Sequence, residues 1–144
     1  MGAEKEIDVL ARTLWGEARG EGLAGMIAVG WTIRNRVELD LRNDGKPDWW
    51  GEGYIGVCQK PWQFSCWNKN DPNYPFLSGL KPIPAAEFAK ARQAALAVLE
   101  GKQPDPTAGA THYYAKSMKT PPGWMKGARP TVTIGNHRFF KDVP

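Results

Sequence analysis

The chain has 144 residues, 42% of them apolar and 24% charged, an ordinary composition for one globular domain that can bury about two-thirds of its unfolded surface without staples. Its longest uncharged stretch, Gly22 to Ile33, is too short to span a bilayer, which argues against a membrane anchor. A net charge of +4 and a pI near 9.1 favour an anionic partner such as a bacterial wall, a nucleic acid or an acidic membrane surface, and the lack of a Lys/Arg-rich run weakens the nucleic-acid reading.

Residues 1–8 lack the basic region and apolar core of a secretory signal, so synthesis without a Sec address is expected. From 4 to 19, Ile7, Leu10, Ala11, Leu14, Trp15 and Ala18 recur at spacings of three and four, which predicts an amphipathic helix that carries Glu17 into its last turn before Gly20. Leu10, Leu14 and Trp15 would dry the surroundings of Glu17 and disfavour its ionised form, and the negative end of the helix dipole acts in the same direction. Glu17 is therefore a candidate proton donor. The plain alternative is a solvated acid in a helix–loop connection.

Residues 23–41 are apolar on nearly every face, the pattern of a central, wholly packed helix, with Gly25 and Gly30 allowing close approach of neighbours. Asn35 reads first as a buried amide that ties this helix to a neighbouring loop, with substrate contact as the alternative. The stretch 41–56, with Trp49 and Trp50, reads as a loop on its turn residues. Over 57–67 two short strand-like pieces surround Pro61, and in them Gln63 and Ser65 alternate with Trp62, Phe64 and Cys66, so the polar pair would share a face that could line a cleft. Cys58 and Cys66 would bridge if those strands met, whereas the missing signal argues for reduced thiols; both states stay open.

After an irregular connection over 68–83, a helix is predicted from Pro84 to a stop at Gly101. His112, Tyr113 and Tyr114 then arrive together, most simply as aromatic packing. Pro121 to Trp124 is a turn. Gly135-Asn136 closes a two-residue hairpin that sets His137 opposite Ile134 as a structural residue. The seven tryptophans suit stacking on sugar rings and on bases alike. No repeat, phosphate-cradling motif, metal motif or nucleophile signature stands out, so neither a metal nor a cofactor is expected.

Five blocks taken together are more specific than any one: Ala11 to Glu21, Ile33 to Val37, Trp62 to Ser65, Thr111 to Tyr114, and Gly135 to Phe140. In this order they resemble the SleB-like cell-wall hydrolases, which include spore-cortex lytic enzymes and phage endolysins. The resemblance implies a single catalytic domain over 1–144, α+β but mainly α and lysozyme-like, with a small β element, acting as a monomer on the glycan strands of peptidoglycan. The family's catalytic glutamate falls on Glu17. Its Trp62, Gln63 and Ser65 block looks like a cleft lining, and its His112, Tyr113 and Tyr114 block like the tyrosine beside the acid, with either tyrosine eligible.

Glu21 is the obvious second acid, although Gly20 disfavours the helix continuation that would place it on the face of Glu17, so it reads more as an aid to local structure. One acid suffices for a lytic transglycosylase, the expected activity, whereas a hydrolytic muramidase needs two. A wall-binding module that does not cut is the reading from another class. An amidase or peptidase ranks lower for want of a metal motif. The resemblance, with neither a signal nor a separate wall-binding domain, points to a phage or prophage endolysin, made in the host cytoplasm and reaching the wall through a holin lesion. No nucleic-acid partner and no membrane insertion are expected.

Overall fold

Helix α1 (Gly2–Ala18) forms where the apolar spacing predicts it, and it buries Leu10, Ala11, Leu14, Trp15 and Ala18 along one stripe. The computed structural model describes residues 2–39, 45, 50–61 and 63–143. A 3-10 turn at Arg19–Glu21 follows α1, and Gly22, at φ 77°, lets the chain swing into α2 (Gly22–Glu38). Helix α2 is buried on nearly all sides, from Met26 through Val29 and Ile33 to Arg36. A Cβ on Gly30 would lie 2.7 Å from Val98 Cγ2 and 3.4 Å from Leu14 Cδ1, so the missing side chain is what lets three helices meet there.

The third of these is α5 (Ala85–Glu100), which presents Ala91, Ala94, Ala95 and Val98 to the core and stops at Gly101 in the left-handed region. Leu10, Leu14, Val29, Ile33 and Val98 are fully buried at this junction. Each contributes about 1.5–3 kcal/mol relative to an exposed side chain, which anchors α1 and hence its C-terminal end.

The segment 57–67 differs from its expectation. Instead of two strand-like pieces the chain forms helix α3 (Gly53–Gln59) and a 3-10 turn at Ser65–Trp67. The cause is packing at helical spacing: Val57 and Cys58 are buried, Tyr54 and Ile55 pack against the same core, and 54, 57 and 58 share a helix face. Without strands to pair them, Cys58 and Cys66 are free and buried. The following connection contains a further short helix, α4 (Tyr74–Leu77).

The polar end of α2 sets the position of the sheet. Asn35 Nδ2 donates to Asp105 Oδ2 at 2.9 Å and to the Ala110 carbonyl at 2.8 Å, as the buried-amide reading expects. Asp105 in turn accepts from Thr107 and the Gly109 amide. The loop so held delivers β1 (His112–Ala115), which with β2 (Arg129–Ile134) and β3 (His137–Lys141) makes an antiparallel sheet in the order β1-β3-β2. The hairpin turns at Gly135-Asn136, with Ile134 opposite His137, as predicted.

Candidate active site

Glu17 lies in the last turn of α1, half-buried beyond Leu14 and Trp15. Strand β1 points Tyr113 at it: the tyrosine hydroxyl donates to Glu17 Oε1 at 2.8 Å. Burial, then the charge of Glu17, pushes the Tyr113 hydroxyl well above its ordinary pKa, so it remains a donor. The tyrosine ring is fixed by an edge contact with His137 at 4.9 Å and a tilted contact with Phe139 at 5.7 Å. Successive strand residues face opposite ways, so Tyr114 turns from the acid, stacks on Phe140 at 5.5 Å and meets the Trp124 edge.

A cavity of about 290 Å³ opens beside this pair, lined by Glu17, Tyr113, His112, Arg36, Gln63, Phe64 and Trp124. Gln63 spends both amide hydrogens on the Trp50 and Val57 carbonyls, at 2.8 and 2.9 Å, which leaves Oε1 as the atom it can offer the cavity. Arg36 is 8% exposed and donates from Nε to the Thr111 carbonyl at 2.6 Å. Burial draws its pKa down to about 10 against the raising influence of Tyr113, Cys58 and Glu17, so it is still a cation at neutral pH.

A second cavity of about 390 Å³ lies on the other side of Glu17, with Glu21, Asn73 and His137 in its wall. Glu21 holds the hairpin: Oε1 accepts from the Asn136 amide at 2.8 Å and Oε2 from Asn136 Nδ2 at 3.1 Å. The backbone hydrogen bond from Asn136 is the main reason its carboxyl is held below the ordinary value.

Among the residues singled out from sequence, the structure thus gathers Glu17, Gln63, His112 and Tyr113 around one cavity. Ser65 is exposed in its 3-10 turn and, with Tyr114, lies outside that lining; Gln63 and Ser65 do not share the expected face. Trp62 falls outside the described residues. Sequence reasoning missed Arg36, Phe64 and Trp124. A pair of arginines, Arg34 and Arg36, closing the most apolar helix was the available signal for Arg36; the turn around Trp124 carried none.

A family model described as Cell Wall Hydrolase matches residues 20–140. The chain belongs to the cell wall hydrolase family. It is 30% identical over 137 residues to a spore cortex-lytic enzyme of Halalkalibacterium halodurans, covering 95% of this chain and 35% of that protein, so it spans about a third of the relative's length. Its fold is similar to the catalytic domain of the Bacillus cereus SleB protein, with a TM-score of 0.68 and 26% identity over 96% of this chain and 91% of the other. It is also similar to the catalytic domain of the germination-specific lytic transglycosylase SleB from Bacillus anthracis, with a TM-score of 0.66 and 27% identity over 94% and 93% of the two chains. The mainly helical, lysozyme-like architecture with a small sheet expected from sequence is the one observed.

In this cell wall hydrolase domain His112 is wedged between Trp50 and Trp124, with ring centroids 5.9 and 5.0 Å away, and Nδ1 lies 2.8 Å from Thr111 Oγ1. Burial first, then the charge of Arg36, lowers its pKa from 6.5 to about 4. A histidine kept neutral by folding contributes stability above its unfolded pKa and loses it as pH falls through the window from 6.5 to about 4. The thermal midpoint is expected to drop across that window, and to drop less steeply in His112→Gln. Equal slopes in the two proteins would contradict this assignment.

Proposed function

We propose that the domain cuts the glycan strands of peptidoglycan at the β-1,4 bond between N-acetylmuramic acid and N-acetylglucosamine, as a lytic transglycosylase. The observation that carries this reading is the Glu17–Tyr113 pair: among the described residues, Glu17 is the one carboxylate lining the cavity that Gln63 and the aromatic side chains share. Glu17 gives a proton to the leaving glycosidic oxygen as the bond to the anomeric carbon breaks and an oxocarbenium-like centre develops. The carboxylate left behind then takes the proton of the same sugar's 6-hydroxyl, whose oxygen closes on the anomeric carbon. The product is a 1,6-anhydro sugar, Glu17 ends protonated as it began, and no water is consumed. Tyr113 holds Oε1 throughout and so orients the carboxyl.

A hydrolytic muramidase would need a second carboxylate to activate water or attack carbon. Glu21, the candidate for that role, has both oxygens engaged by Asn136, which favours the one-acid chemistry. The similarity to a protein named as a lytic transglycosylase points the same way. A cysteine nucleophile has little support, because burial pushes Cys58 up to about 12 and raises Cys66 further, so neither is a thiolate at neutral pH.

Incubation with purified cell walls tests the reading: the suspension should clear and release soluble disaccharide-peptides. Protein that sediments with walls and leaves them turbid would instead be a binding module.

A further inference from the structure

The cavity holding Glu17, Glu21 and His137 does not end at the turn after α1. It shares Arg19 and Gly20 with a larger cavity, about 440 Å³, completed by Met26, Ala86, Glu87 and Lys90. Three cavities thus adjoin between Trp124 and the start of α5, sharing Glu17 at one boundary and Arg19 and Gly20 at the other.

Arg19 stands at the junction and is held in place without an acid. Its guanidinium lies 4.1 Å from the ring centroid of Trp15, donates to the Trp15 carbonyl at 3.2 Å and donates to Asn73 Oδ1 at 3.1 Å. That uses two of the five N–H donors of an arginine. Among the described residues neither Arg19 nor Lys90 is ion-paired. The one carboxylate in this cavity, Glu87, accepts from Trp15 Nε1 at 2.9 Å. Two cations therefore face a compartment with one acid, and the planar fork of Arg19 is pre-organised for a carboxylate.

We propose that this compartment binds a carboxylate of the peptide stem carried by the muramic acid residue next to the scissile bond. The inference rests on the peptidoglycan reading above. N-acetylated sugars in the strand are uncharged, whereas the stem on each muramic lactyl group carries free carboxylates, so a cationic compartment that adjoins a glycan cleft is matched to the stem. Arg19 then acts as a specificity residue that rewards strands bearing peptide.

Two measurements test it on the full chain. In the first, a free stem tripeptide of alanine, isoglutamate and a diamino acid is titrated into Glu17→Gln protein and followed by calorimetry. Arg19→Gln added to that protein should weaken binding about tenfold, the loss of a charge-assisted hydrogen bond, and Lys90→Gln, on the exposed face of α5, by about threefold. Inorganic phosphate binding as tightly as the tripeptide would make this a general anion site and overturn the proposal. In the second, KM is measured on stem-bearing strands and on strands stripped by an amidase, with Arg19→Gln raising KM about tenfold more on the first than on the second. Equal changes on both would mean that Arg19 acts through the end of α1 or reads the lactyl carboxylate that the amidase exposes, and either would overturn it. Tripeptide binding without cleavage of either strand would sink the glycosidase reading and leave the compartment standing; cleavage without tripeptide binding would do the reverse.

Discussion

Glu17→Gln is expected to lower the rate of wall lysis by about two to four orders of magnitude, the usual worth of a positioned general acid. The substitution keeps shape and hydrogen-bonding capacity: the Tyr113 hydroxyl that donates to Glu17 Oε1 at 2.8 Å can donate equally to a glutamine oxygen. Glutamine cannot carry the proton to the leaving oxygen or take one from a sugar hydroxyl, so both halves of the proposed reaction fail together. Unchanged circular dichroism would assign the loss to chemistry. A folded variant that retained more than about a tenth of the wild-type rate would remove Glu17 from the acid's role.

The second large effect belongs to Arg36. Methionine there fills much the same space but leaves the Thr111 carbonyl without its 2.6 Å donor and takes a buried cation from the wall of the cavity. Leaving a buried acceptor unpaired costs about 2–3 kcal/mol, or roughly 6–10 °C in the thermal midpoint of a domain this size. Activity should fall as well, because the Thr111 carbonyl immediately precedes β1, whose second residue is Tyr113. A loss of less than about 2 °C would mean that Arg36 is not what seats the strand.

What was legible in the sequence follows from the range over which each feature is specified. Helices α1, α2 and α5 carry their apolar spacing and their stops within themselves, and the hairpin is written in Gly135-Asn136, so all were readable. Helix α3 was not. Its Tyr54, Val57 and Cys58 spacing was masked by glycines at 51, 53 and 56, which read as loop, and only core contact reveals the helical face. Glu17 was legible because its apolar neighbours precede it on the same helix. Its surroundings were less so: Arg36 acts on a carbonyl 75 residues away, and the choice between Tyr113 and Tyr114 depends on pairing β1 with β3. Gln63 was singled out for a cleft that it does line, but through an α3-to-turn geometry rather than a strand. Glu21 was readable as an aid to local structure because Gly20 breaks the helix that would pair it with Glu17, but its partner Asn136, 115 residues on, was not.

The most direct test of the one-acid mechanism is mass spectrometry of the soluble products released from purified peptidoglycan. The expected fragments end in 1,6-anhydro-N-acetylmuramic acid, lacking one water relative to the hydrolysis product. Fragments ending in reducible N-acetylmuramic acid would contradict it, and would require a second carboxylate to activate water, with Glu21 the first to be tested.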